Sequence, residues 1–165
     1  PFRSADQARM RATRRLFVYW QEQVGRGVPF PRPALDPSSI VEILPFIILG
    51  DIEQDPFRVR FRLVGTSIVE FSRLDFSGKY LDELSYGARD SVDWSECYRH
   101  VHKTRQPIIG NNEISFVDGK VSTYEFAILP LWRGDDPAGS FIASEAYEGF
   151  DRLHIPDLEP VAPRS

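Results

Sequence analysis

One cysteine and one methionine stand in 165 residues. Cys97 has no second cysteine to pair with, so no internal disulfide is available and a reducing cytoplasm is the simplest setting. Histidines number three, and two of them, His100 and His102, are near neighbours in one segment. That leaves little from which to assemble a hydrolytic triad, and no Gly-x-Ser-x-Gly is present. Long apolar runs are missing too. The longest, residues 43–49, is split by Pro45 and falls well short of the roughly 20 residues a membrane-spanning helix needs. The opening PFRSADQARMRATRR has none of the apolar core of a signal peptide. Excess positive charge is also lacking. A formal net charge of −4 and a pI near 5.4 argue against a general nucleic-acid binder. There is no Gly-x-x-x-x-Gly-Lys phosphate loop.

What is there suits one globular domain with a real core: 42% hydrophobic and 27% charged residues. Ser4-x-x-Gln7 has the form of a capping box, and a helix is expected over about residues 5–24. Leu16, Phe17, Trp20 and Val24 share one face of it, and Gly25 and Gly27 end it. VPFPRPALDP is extended. Ser39-x-x-Glu42 opens a short helix that Pro45 closes. Residues 46–53 read as a strand, 54–56 as a turn and the stretch from Phe57 as the returning strand.

Ser67-x-x-Glu70 is a third capping box, starting a helix to about Arg73, and residues 75–84 hold a turn at Gly78 and another helical piece. A longer helix is expected over 91–105, ended by Pro107. Three strands follow, roughly 108–117, 121–132 and 139–147, joined by turns at Asp118-Gly119 and 133–137. Two strands, a helical excursion and three hairpin-linked strands make an α+β fold with one five-stranded antiparallel sheet. The short helices cover one face and the N-terminal helix the other. The expected divisions are 1–27 for the N-terminal helix and its cap, 28–148 for the sheet domain, and 149–165 for a proline-rich tail.

In FRVRFRLVGTSIVE (57–70), Phe57, Val59, Phe61 and Leu63 alternate with Arg58, Arg60 and Arg62. A nucleic-acid platform would need aromatics on the arginine face. The plainer expectation turns the apolar side to the short helices and the arginines to the N-terminal helix. Their stems would lie on Trp20 or Phe17 and their heads reach Glu53 or Glu125. Arg62 remains the candidate for an anion. Gly65 allows the sharp turn into the next helix, which Thr66 or Ser67 caps.

The pieces LFVYW (16–20), PFPR (29–32), Asp36-Pro37, Leu44-Pro45, FRLVGT (61–66), DFSGK (75–79), Tyr98 with Val101, Pro107, Tyr124-Glu125 and LPL (129–131) come in a definite order. That ordered set resembles a family of small, mostly stand-alone bacterial PAS domains, long regarded as a domain of unknown function. The likeness covers about residues 16–146. It implies the PAS fold and a sensory or signalling role, with no ligand assigned. It also favours Arg62 as the special arginine, and the N-terminal helix as a dimer element.

A PAS pocket would lie between the inner sheet face and the helical segment. Its candidate lining is Val59, Phe61, Arg62 and Leu63, then Trp94, Tyr98 and Val101, then Phe116, Tyr124, Phe126 and Ile128. These suit a small apolar or aromatic ligand with Tyr98 or Tyr124 as polar handle, and they can equally fill a core. Stepping about 100° per residue from Trp94, Cys97, Tyr98 and Val101 stay within about 60° of it. His102 lies about 80° away and His100 about 120°. Neither is well aimed for haem, and His102 is the better placed.

Cys97 lacks the asparagine-cysteine-arginine setting of a flavin adduct and reads as a buried thiol. Cys97-x-x-His100 alone does not make a metal site. Asp82-Glu83 and Asp135-Asp136 sit in turns and read as solvated. An enzyme on such a sheet would need a buried acid facing the pocket, for which Glu113 and Glu125 are the strand candidates. The expectation is a non-enzymatic sensor that binds a small ligand and relays through a signalling protein or a homodimer. The alternative is a filled-core interaction module. Nucleic acid and membrane are not expected partners.

Overall fold

Alternating residues and the turn at 54–57 lay down β1 (Ile47–Glu53) and β2 (Arg58–Val64) as a hairpin. They form one edge of a sheet in the computed structural model, which describes residues 7–25, 30–84, 88–116 and 118–148. The strand order is β2-β1-β6-β5-β4-β3, with β4 (Ile108–Phe116), β5 (Val121–Arg133) and β6 (Asp136–Tyr147) following one another by hairpins. All neighbours are antiparallel. The five expected strands are present. A sixth, β3 (Ala88–Asp90), adds three residues at the far edge, paired with β4.

Both faces of the sheet are covered, which is why β5 is buried without a break from Tyr124 to Leu131. On the outer face Ala127, Leu129, Leu131 and Ile142 meet Leu16, Phe17 and Tyr19 of α1 (Arg11–Gly25). The 3-10 stretch Pro37–Phe46 completes that layer with Ile40, Ile43 and Phe46. On the inner face Phe126, Ile128, Phe141, Val59 and Phe61 meet α2 (Thr66–Ser72) and α3 (Trp94–Thr104) through Ile68, Cys97, Tyr98 and Val101. Among the described residues no helix is long and apolar enough to cross a membrane.

Several helix starts differ from the capping-box reading. Ser4 lies outside the described residues. The first turn of α1 is instead held from across the sheet, where the Arg9 and Met10 N–H groups each donate to the Glu125 carboxylate at 2.9 Å. The Met10 N–H is the first of the donors that a helix leaves open at its N-terminus, and the Arg9 N–H fixes the chain just before it. Glu125→Ala should cost about 1–2 kcal/mol, the usual size of a lost cap, read as a lower urea midpoint with unchanged slope. Further along α1, Tyr19 is buried while Val24 is 42% exposed, and Trp20 donates Nε1–H to the Pro130 carbonyl at 3.0 Å.

In the 3-10 stretch the cap is Asp36, which accepts from Ser38 N–H. Glu42 turns away to Arg15 at 2.6 Å, so the Ser39–Glu42 box does not form. In α3, Asp93 accepts from Glu96 N–H at 3.0 Å, which sets the start at Trp94 rather than Ser91.

At α2 neither Thr66 nor Ser67 caps. Gly65 is the N-cap, and no side chain bonds there. Its φ of −63° is open to any residue, so a strained turn is not the reason for glycine. Space is: a Cβ here would sit 2.3 Å from the Pro45 carbonyl oxygen and 2.7 Å from that of Leu44. Since both obstacles are backbone, Gly65→Ala should cost about 2 kcal/mol, measured by thermal or urea denaturation.

Candidate functional site: the inner sheet face

The arginine row changes phase inside β2. Glu53, Ile52, Asp51 and Gly50 pair with Arg58, Val59, Arg60 and Phe61, but Leu49 pairs with Leu63, leaving Arg62 as an extra residue. This bulge sends the residues after it to the other face. Leu63 is therefore 46% exposed rather than in the inner core. Arg62 reaches the outer side, where its Nε donates to Asp51 at 2.6 Å.

Asp51, only 1% exposed, also accepts from Arg32 Nη1 and Ser140 Oγ, each at 2.7 Å. Burial raises its carboxyl pKa. The hydrogen bonds from Ser140 and Arg62, with the charges of Arg32 and Arg133, more than offset that and hold it below the ordinary range. Arg58 grips Asp82 with two hydrogen bonds and lies 3.5 Å over the Tyr80 ring, which Arg60 also approaches at 5.6 Å. The expected reach to Glu53 and Glu125 is not made. Glu53 accepts from the Tyr80 hydroxyl, and Glu125 caps α1.

The other predicted lining residues divide simply. Phe61, Tyr98, Val101, Tyr124, Phe126 and Ile128 are all buried on the inner face with Val59, and Trp94 is partly buried there. The Phe116 side chain lies outside the described residues. Arg62 and Leu63 leave the group for the reason just given. The centre of this face is filled by rings. Phe61 meets Phe76 at 4.8 Å, Tyr98 meets Phe141 at 4.7 Å, and Trp94 meets Phe126 at 4.7 Å between centroids. Two glycines admit these rings. Phe141 covers Gly50 and Phe126 covers Gly110, each closer than a Cβ would allow.

Toward β3 the inner face becomes polar. Strict alternation along β6 places Phe141, Ala143, Glu145 and Tyr147 on one face, so a carboxylate is carried in among the rings. Glu145 is half-buried, and the Tyr147 hydroxyl donates to it through a short contact. Tyr124, paired with Tyr147 across the ladder, is its second phenol partner. Asn112 donates to the Tyr124 oxygen at 3.0 Å and to Asp90 at 2.6 Å, and accepts from Ser91. Phe71 of α2 closes the cluster from above, stacked on Tyr147 at 3.8 Å.

Among the described residues no cation pairs with Glu145. Burial pushes its carboxyl up and the charge of Asp90 adds to this, against the pull of the two phenols, giving a pKa of about 7. The inner-face acid expected at Glu113 or Glu125 is instead Glu145, which is half-buried. Glu113 is exposed and Glu125 faces outward. The alternation of Glu145 with Phe141 and Tyr147 along β6 is the sequence signal for its face.

His102 Nε2 lies 3.0 Å from the Asp136 carboxylate at the β5–β6 turn, not over the inner face. Cys97 is buried, and burial first, then Asp93 and Glu96, raise its thiol to about 11. An open groove of about 420 Å³ runs along the other end of the sheet, lined by Ile52, Glu53, Gln54, Arg133, Asp136 and Gly139. None of the predicted lining residues borders it.

Strand order, helical excursion and two-faced core are the arrangement expected from the resemblance. A scan of protein families matches residues 8–143 to the PAS domain. The chain belongs to the PAS domain family. PAS domains in general are sensory rather than catalytic.

Among solved structures, this PAS domain is similar in fold to the Erythrobacter litoralis EL346 blue-light activated histidine kinase. There the TM-score is 0.46 and the identity 16%, over 67% of this chain and 37% of that one. It therefore spans little more than a third of that kinase's length. The dark structure of the blue-light photoreceptor Aureochrome1 LOV gives a TM-score of 0.49 at 9% identity, over 73% of this chain and 90% of the other. An RNA-binding Light-Oxygen-Voltage receptor gives 0.48 at 14%, over 78% and 38%. No curated protein matches the chain.

Proposed function

We propose that this PAS domain is a non-enzymatic sensor that takes a small, largely aromatic or apolar ligand against the inner sheet face. It relays the bound state to another protein by contact. The observation that carries this is Glu145 with Tyr124, Tyr147 and Asn112 at the edge of an otherwise apolar face. A module that only docked partners would gain nothing from a half-buried acid that has no cation among the described residues, an arrangement that costs stability. In a sensor the same group is a handle for a ligand's polar end. Tyr124 remains the polar contact from the original candidates. Phe126, Ile128, Tyr98, Val101, Trp94 and Phe61 form the apolar floor. Output leaves through the exposed side of α1, where Val18 is 48% exposed, or through the edges at β2 and β3, to a signalling protein or a second copy.

The tight ring packing in the centre supports the second reading, a filled-core dimerisation or partner-binding module. Native mass spectrometry with an ultraviolet-visible spectrum on freshly purified protein separates the two. The sensor reading expects an extra mass that leaves on denaturation. A clean unliganded mass, persisting after incubation with a small-molecule extract of the host cell, would favour the filled-core module.

A further inference from the structure

We propose that Glu145 is a proton-binding switch: losing its proton loosens edge strand β3 and the Phe71 cover, so this PAS domain reads pH as an input of its own. This rests on the inner-face site being the sensing site, and requires no organic ligand there.

The geometry supplies both halves of a switch. One half is a group whose charged form is poorly supported. Glu145 is half-buried, faced by Tyr124 from β5, Tyr147 from its own strand and the negatively charged Asp90 from β3. Among the described residues, β4 and α2 add the neutral groups Asn112 and Phe71. Two phenol hydrogen bonds are the only described support for the negative charge.

The other half is a pair of elements able to respond. β3 is three residues long and lies at the sheet edge. Asn112 ties it down by bonding Asp90 and Ser91 on one side and Tyr124 on the other. Short edge strands lie at the low-stability end of a fold. When Glu145 ionises, two carboxylates share the neighbourhood of this one amide. Moving β3 outward is the simplest way to separate them. The Tyr147 ring that bonds Glu145 is also the platform for Phe71, so the same event reaches α2.

The test uses protein whose ligand-free mass has been verified, so failure of the ligand reading leaves it unaffected. Carbon-13 labelling of the glutamate carboxyls, with Glu145→Gln for assignment, should show one signal titrating near pH 7, where the shifted carboxyl lies. Hydrogen exchange at Asp90 and Ile114, corrected for intrinsic pH dependence, should speed up several-fold across the same midpoint in the wild type and stay flat in Glu145→Gln. Asp90→Asn, which removes the like charge, should move the midpoint down. It also serves where the glutamine variant does not fold. A Glu145 midpoint in the ordinary carboxylate range overturns the proposal. So does a midpoint near neutrality with unchanged exchange at β3.

Discussion

Asp51→Ala is expected to cost about 3–5 kcal/mol, the range for removing one partner of a buried ion pair. The carboxylate is essentially buried and holds three donors from separate parts of the chain: Arg32 before the 3-10 stretch, Arg62 at the β2 bulge and Ser140 on β6. Alanine leaves two guanidinium groups facing each other across a gap and a buried hydroxyl without an acceptor. Both arginines are about a third exposed, at 31% and 33%, so water recovers part of the loss, which places the result toward the lower end. Because the Asp51 carboxyl lies below its ordinary value, its contribution is complete at neutral pH and is lost as pH falls through the folded-state value. The measurement is urea denaturation at pH 7 and again at low pH. A loss under about 1 kcal/mol at pH 7, the typical worth of an exposed pair, would show that solvent carries these arginines after all.

Glu145→Gln is expected to do the reverse and stabilise the protein above neutrality, by at most about 3 kcal/mol. The folded-state pKa of about 7 is above the ordinary 4.5, so the folded protein holds a proton that the unfolded chain has given up. Stability is therefore highest below the ordinary value and declines as pH climbs from about 4.5 toward about 7. Glutamine removes that decline. Wild type and variant should be close near pH 4.5 and diverge with rising pH, the variant ahead at pH 8. Parallel denaturation curves from pH 4 to pH 8 decide the matter. Equal pH slopes in the two proteins would place the Glu145 carboxyl in its ordinary range.

The architecture could be read largely from residue order, because alternation and turn signals are local. The face of α3 was legible for the same reason: Cys97, Tyr98 and Val101 share a helical side and all three are buried. Three features were not legible. The bulge at Arg62 is set by how β2 registers on β1, and nothing in FRVRFRLV marks the phase change that turns Leu63 outward.

The helix starts at Asp36 and Asp93 are local and lie within reach of the sequence, whereas those of α1 and α2 do not: the acceptor for α1 comes from far along the chain, at Glu125, and the constraint at Gly65 is space. Glu145 is hard to place from sequence because β6 is apolar on both sides, so alternation with Tyr147 does not by itself say that their shared face is the inner one. Each of these depends on a pairing between distant segments.

The capping of α1 has a consequence for synthesis. The acceptors that seat α1, the Glu125 carboxylate at its start and the Pro130 carbonyl under Trp20, lie 116, 115 and 110 residues further along the chain than the groups that donate to them. At ribosomal speeds, that separation delays docking by on the order of ten seconds. The segment made early is thus among the last to be seated. Until β5 emerges, Leu16, Phe17 and Tyr19 have only Phe30 and the 3-10 stretch Pro37–Phe46 to pack against and lack their sheet, a target for chaperones during translation and for premature association when synthesis stalls.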